Sequence, residues 1–357
     1  QIFFLSLIWG SFFLYIALMY SERILIALGA TPDIMDFATS YLVITAFGAP
    51  VFIFAIIASN LIRGSGDAVK PMIIIIGSSM INIVLDPFLI MGIGPFPELG
   101  IRGAALATVI AQSFGAALAL VYLLGRLTTY RIRLRYLQPR WKLLKDIYRV
   151  GTPASVQEIT ESLAFIVFNR LVSGFGSVAI TAVGLSLRIA DLFFMPIIGV
   201  SHALIPIVSF NLGAGNIKRL WEAVKLCSVG LMILLGFFTL LVEVFTPQIV
   251  GLFSKEPEVL ETTIPAMRIM LSTLIFIGPG VMAIATFQGL SKGGMALFLS
   301  LIRQFLVFVP LVFLLHYLFG LTGIWFALPA SDVLSFFISL SFLYREYRRH
   351  QKGLIVR

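Results

Sequence analysis

"IALGATPDI" at residues 26–34 runs parallel to "GLFSKEPEV" at residues 251–259. Pro32 falls on Pro257, Asp33 on Glu258, and Arg63-Gly64 on Gln288-Gly289, all at one constant offset. Past a shorter loop the match resumes, with "GIRGAALA" from Gly100 landing on "GLTGIWFA" from Gly320. This repeat is far longer than a solenoid unit and is made of several apolar spans. In membrane proteins, two such halves face each other across a central pathway with the binding site between or within them. The repeat therefore points to a transporter.

The repeat also implies an expectation about the beginning of the chain. Gln1 pairs with Leu226, and the stretch from about residue 145 to 225 has no first-half counterpart. Two helices of the first half are expected to precede residue 1.

Composition agrees with a membrane location. Hydrophobic residues are 59% of the chain, charged residues 12%, and mean hydropathy is +1.02. A soluble domain of this size needs more charge than that. Apolar stretches lie at about 2–20, 37–62, 71–94, 101–125, 150–172, 178–208, 226–250, 262–290, 294–319 and 320–344. Each is long enough for a helix to cross a hydrocarbon core of about 30 Å, and longer than the about 9–11 residues of a barrel strand. The fold class is all-α and polytopic.

The net charge of +9 does not read as a nucleic-acid surface, because most of the 26 Lys and Arg residues occupy alternate loops. Arg63 and Lys70, the run from Arg126 to Arg149, then Lys218, Arg219 and Lys225, then Lys292, and finally Arg345 onward share one side. The intervening loops are bare or acidic, as at Glu256, Glu258 and Glu261. By the positive-inside rule, residue 1 and the C-terminus are both cytoplasmic. The basic stretch 126–149 is either a linker with topology-setting charges or an amphipathic segment on anionic headgroups. It separates residues 1–128, a first lobe truncated to four helices, from a six-helix second lobe at 147–345. Residues 129–146 form the cytoplasmic linker and 346–357 a basic tail. Cys227 is alone, which excludes an internal disulfide.

Ionisable groups inside apolar spans are functional candidates, because burying charge in a bilayer is costly. Asp86 follows Asn82 by one turn in "SSMINIVLDPFLIMG", and Pro87 frees a carbonyl near Ile83. An acid, an amide and a free carbonyl can hold a proton or a small hard cation such as Na⁺. The alternative is a neutral structural acid within the bundle. Glu158 and Glu161 lie three apart with Gln157 in "GTPASVQEITESLAF", and two nearby acids raise one proton affinity. Glu158 can instead be an interfacial acid near a helix N-terminus. Arg188 and Asp191 have the spacing of a structural pair, and His202 can relay protons or simply pack. A Phe- and Met-rich interior could also hold hydrophobic cations against ring faces. No P-loop or HExxH motif is present, so the chain carries no ATP motor and no soluble-type catalytic signature.

Several segments together resemble the multidrug and toxic compound extrusion (MATE) family, prokaryotic type. They are "LIRGSGDAVKPM" at 61–72, "NIVLDPFLIMGIG" at 82–94, "GIRGAALATVIAQ" at 100–112, "GTPASVQE" at 151–158, "MPIIGVSHALIPIVSFNLGAGN" at 195–216 and "FQGLSKGG" at 287–294. The resemblance implies twelve helices in two six-helix lobes and export of organic cations in exchange for protons or sodium ions. It implies that Asn82 and Asp86 line a first-lobe cation site, that Thr108 shares that pocket, and that Glu161 serves second-lobe coupling. The first-helix aspartate that completes the first-lobe site in many members falls outside this sequence. The span 262–290 has no acid, although some sodium-coupled members carry one there.

The sequence thus reads as a monomeric secondary antiporter of the cell membrane, partnered by lipid and a small organic cation. It needs no cofactor beyond its coupling ion and no nucleic acid. The other readings are a lipid-linked oligosaccharide flippase of the same superfamily and an intramembrane enzyme acting on a prenyl substrate. The first wants a cationic cavity for a diphosphate; the second wants clustered acids.

Overall fold

A computed structural model describes residues 1–27, 32–125 and 138–351. The expectations for residues 129–137 of the linker and 352–357 of the tail lie outside them. The described residues are almost wholly helical: α1 (Ile2–Ala27), α2 (Pro32–Gly64), α3 (Val69–Met91), α4 (Ile101–Leu124), α5 (Trp141–Ser173), α6 (Ser177–Gly213), α7 (Ile217–Phe253), α8 (Pro257–Leu271), α9 (Leu274–Gly289), α10 (Gly293–Leu301), a π-helical segment Ile302–Val307, and α11 (Phe308–Gln351). They fall into two compact units, Gln1–Asp146 and Ile147–Arg357.

Among the described residues, seven helices are long and apolar enough to cross a membrane, or eight if the bent pair α8 and α9 counts as one. Ten spans were expected, and two local features account for the difference. The last two expected spans form one stretch, Gly293–Gln351, of 59 residues. At about 1.5 Å per residue it is far longer than a bilayer is thick. It is broken at Gly320, whose φ of 61° and ψ of −134° are not helical. A Cβ on Gly323 would overlap the carbonyl of Leu315, so the chain folds back there. The other feature is α5, which begins at Trp141, within the stretch read as linker, and carries charged ends together with Gln157, Glu158 and Glu161. It is helical but not apolar enough to stand with the rest.

The repeat is visible in backbone detail. α2 spans Pro32–Gly64, and its counterpart spans Pro257–Gly289, bent by 44° where α8 passes to α9. Each is followed by the same turn. Ser65 N–H donates to Leu61 O and Gly66 N–H to Arg63 O; Leu290 N–H donates to Thr286 O and Ser291 N–H to Gln288 O. The equivalent residues Gly66 and Ser291 both have positive φ. Gly100 (φ 54°, ψ −128°) matches Gly320, and Gly103, like Gly323, approaches a backbone carbonyl where no Cβ fits, here that of Leu89. The π-helical segment accounts for a slip in register, since Leu89 now answers to Leu315 rather than to Leu314.

In lipid the drive for helix pairing is close packing rather than water exclusion. α4 shows how the sequence supplies it: Gly103, Ala107, Ala111, Gly115 and Ala119 recur every four residues and are buried. Small side chains let α3 approach along this stripe, where Ser78 donates to Ala111 O at 2.6 Å. The second unit makes the equivalent crossing with the roles exchanged: Ser331 donates to Arg303 O at 2.8 Å. Large apolar side chains such as Leu7, Ile56, Ile83 and Leu226 stay exposed, as a lipid-facing surface allows.

Candidate functional site

The α3–α4 hairpin carries the first-unit candidates. Asn82 Nδ2 donates to Asp86 Oδ1 at 3.4 Å, the hydrogen bond their one-turn spacing predicts. Both side chains are partly buried. Pro87 lies inside α3 and removes the donor that Ile83 O would otherwise receive. Two carboxylate oxygens, the amide oxygen of Asn82 and one freed carbonyl thus lie within about a turn of one another on α3.

Asp86 is shallower than a mid-span residue. α3 ends at Met91, so Asp86 lies five residues, or about 7.5 Å, from the end of its helix. The loop beyond folds back onto that end: Leu99 N–H donates to Leu89 O at 3.1 Å, Gly100 N–H to Ile90 O at 3.2 Å, and Phe96 packs on Phe88. Thr108 sits seven residues into α4, at a similar depth in the antiparallel hairpin. Its hydroxyl is donated to Ala104 O at 2.9 Å, within its own helix, and makes no hydrogen bond to Asp86 among the described residues.

In the second unit, Gln157 and Glu161 are partly buried and continue the buried stripe of α5 formed by Thr160, Ala164, Phe168 and Val172. Glu158 turns away and is exposed. His202 is exposed on α6, on the side away from buried Leu204 and Val208. Arg188 and Asp191, expected to pair, are both exposed and form no ion pair with each other. Their three-residue spacing puts them on one side of α6, but nothing draws the side chains together there.

The paired charges of this unit lie elsewhere. Arg303 Nη1 is 3.5 Å from Asp332 Oδ1, joining the π-helical segment to the far arm of α11. Ser300 donates to Gln304 Oε1 nearby. Ser78 and Gln112 are the first-unit counterparts of Arg303 and Asp332, whereas the counterparts of Asn82, Asp86 and Thr108 are apolar. The two units therefore place their polar groups about a turn or two apart. Asp332, in "ALPASDVLSFF", is the residue that the sequence reading passed over. The same rule that singled out Asp86 applies to it. Glu346 opens the stretch whose charges predict a basic tail. It is buried instead, and holds Lys292, with Arg349 at 3.8 Å and His350 at 3.6 Å.

Among the described residues, no three His, Cys, Asp or Glu side chains converge as a metal site would require. A cation at Asp86 would depend on one carboxylate supported by neutral oxygens, a set suited to a proton or a monovalent ion.

Comparison with known proteins places this geometry in context. The MatE family model matches residues 1–88 and 153–314. The multidrug export protein MepA of Staphylococcus haemolyticus (strain JCSC1435) is 26% identical over 339 residues, covering 95% of this chain and 74% of MepA. A MOP superfamily transporter from Pyrococcus furiosus, its binding pocket described as reversed in polarity, superposes with a TM-score of 0.90 at 25% identity. That match covers 97% of this chain and 77% of the other. A multidrug resistance MATE family transporter of the MOP superfamily, in its outward-facing conformation, superposes with a TM-score of 0.88 at 26% identity, covering 98% and 78%.

Proposed function

Because the chain belongs to the MATE family of multidrug efflux transporters, we propose that it exports small organic cations in exchange for protons or sodium ions, with Asp86 carrying the coupling ion. Its family consists of transporters, which sets aside the prenyl-substrate enzyme reading. The observation that carries the proposal is the Asn82–Asp86 hydrogen bond on a proline-interrupted helix, about 7.5 Å from the helix end.

The basic residues of alternate loops support an orientation with residue 1 and the C-terminus in the cytoplasm. The α3–α4 loop, bearing Glu98, then faces outward. An ion arriving from outside meets Asp86 before it has crossed much hydrocarbon. Proton or sodium binding removes the net charge of the carboxylate, and with it most of the cost of enclosing that group away from water. An ion drives transport only if it binds two conformations unequally. Asp86 provides such a difference if one conformation opens it to water and the other closes around it. Asn82 supplies a donor to the ionised form and an amide oxygen to a bound ion. Thr108 is assigned to the same pocket, and Glu161 to coupling in the second unit, with Gln157, Glu158 and His202 as accessory groups. The protein acts as a monomer in this account.

A diphosphate-handling flippase is less well supported. The partly buried Arg303 is paired with Asp332, and most other basic residues lie at helix ends and in loops.

The test is transport in proteoliposomes loaded with a fluorescent organic cation such as ethidium. An imposed proton or sodium gradient is expected to accelerate export above the rate without a gradient. Export unaffected by either gradient overturns the proposal.

A further inference from the structure

A cavity of about 790 Å³ opens in the second unit between α7 and α11, at the basic end of both helices, with Pro279 of α9 contributing to its wall. From α7 it takes Lys218, Trp221, Lys225 and Ser228, which recur at three- and four-residue steps and so share one face. Its deeper wall is apolar, with Met232, Phe336 and Leu340. Two polar atoms in this wall are buried and lack a hydrogen-bond partner: the indole Nε1 of Trp221 and the hydroxyl of Ser228. Trp221 is held in place by edge contacts with Tyr347 at 5.3 Å and His350 at 5.7 Å. Its donor therefore cannot readily turn elsewhere.

An unpaired donor buried in an apolar wall is costly, and the two here lie along one groove. The rim holds Lys218 and Lys225 against a single carboxylate, Glu222. That leaves one net positive charge, the complement of one phosphodiester. Seven residues separate Trp221 from Ser228, about 10 Å along the helix. We propose that this groove binds an anionic glycerophospholipid. The phosphate sits between the lysines at the rim and the acyl chains lie on Met232, Phe336 and Leu340, which places the ester region beside Trp221 and Ser228. The positive rim repels an organic cation, so this site is distinct from the export pathway and does not depend on the assignment of Asp86.

Trp221 reports on its own site. In vesicles of phosphatidylcholine containing acyl-brominated phosphatidylglycerol, bromine quenches indoles that it touches. Subtracting the signal of Trp221→Phe isolates this residue from Trp9, Trp141 and Trp325. Quenching is expected to saturate at a low mole fraction of brominated phosphatidylglycerol, whereas brominated phosphatidylcholine quenches weakly. Two lysines near an anionic headgroup each contribute roughly a fivefold preference, so K218Q/K225Q raises the half-quenching mole fraction by at least about tenfold. Far-ultraviolet circular dichroism and the melting temperature confirm that this variant is folded. Equal quenching by both lipids, or no effect of K218Q/K225Q, overturns the proposal and marks the groove as ordinary lipid contact. Relief of quenching by millimolar inorganic phosphate overturns it in favour of a free-anion site. No quenching by either lipid overturns it in favour of a groove filled by the protein itself.

Discussion

Arg303 and Asp332 form an ion pair 3.5 Å long inside the second unit, and Ser331, next to Asp332, donates to the carbonyl of the same arginine at 2.8 Å. The pair ties a π-helical segment to the opposite arm of a broken helix. π-Helical turns are rare and cluster at functional sites. Arg303 lies at the start of that segment, and its guanidinium meets the carboxylate of Asp332.

Breaking such a pair from one side strands a buried charge. Asp332→Asn and Arg303→Gln are each expected to lower stability by about 3–5 kcal/mol, while the double replacement Arg303→Met with Asp332→Leu restores much of the loss. Melting in detergent measures all three. Single variants that melt with the parent protein contradict the assignment of a mutually dependent pair shielded from solvent.

Gly103 and Gly323 predict a matched pair of defects. A methyl group at either position overlaps a backbone carbonyl, of Leu89 or of Leu315, which cannot rotate aside as a side chain can. Gly103→Ala and Gly323→Ala should each cost about 1–3 kcal/mol, in the usual range for overpacking. Gly77→Ala, with open space around the position, serves as the control and should melt with the parent. If Gly103→Ala also does so, the close approach is not as tight as described.

Much of this was legible in the sequence, because it depends on spacing and on long apolar runs. The paired glycines and the one-turn spacing of Asn82 and Asp86 both follow from it. What was not legible involves contacts between distant segments. Asp332 stands out in its apolar run as Asp86 does, but its partner Arg303 becomes evident only when the two segments pack, and Glu346 reads as a member of a basic tail until Lys292 arrives from the α9–α10 loop. The spacing of Arg188 and Asp191 suggested a pair, but spacing along a helix permits contact without enforcing it. The apolar run 71–94 puts Asp86 eight residues from its end, whereas α3 stops at Met91, five residues away, because Gly92, Ile93 and Gly94 extend the run past the helix.

The turn between α2 and α3 provides a pH test. Asp67 accepts from Lys70 Nζ at 2.5 Å, from the Lys70 backbone N–H at 3.1 Å and from Tyr122 Oη at 3.0 Å. The hydrogen bonds from Lys70, first from its side chain and then from its backbone, hold the Asp67 carboxyl down at about 2, below its ordinary 3.8. A depressed acid contributes its stability above the ordinary value and loses it as pH falls through the lowered one. The turn should therefore be fully tied above about pH 4 and released as pH falls through about 2. Difference infrared titration of the protein against Asp67→Asn should show carboxyl protonation near pH 2. Protonation near the ordinary value would mean that these contacts do not form.

Glu161 and Glu158 are separated by their surroundings. Glu161→Gln, on the partly buried face of α5, is expected to reduce gradient-driven export about fivefold or more, the low end of ordinary coupling energies. Exposed Glu158→Gln should stay close to the parent rate. Initial rates in proteoliposomes distinguish them. The reverse order would place the coupling acid on the other face of α5.

Asp86 is the proposed carrier of the coupling ion. Export of ethidium by Asp86→Asn proteoliposomes, compared with the parent protein under matched proton and sodium gradients, tests it most directly. The variant is expected still to bind the dye and to export it at the rate seen without a gradient, whichever gradient is imposed. An Asp86→Asn protein that responds to a gradient as strongly as the parent would contradict the claim.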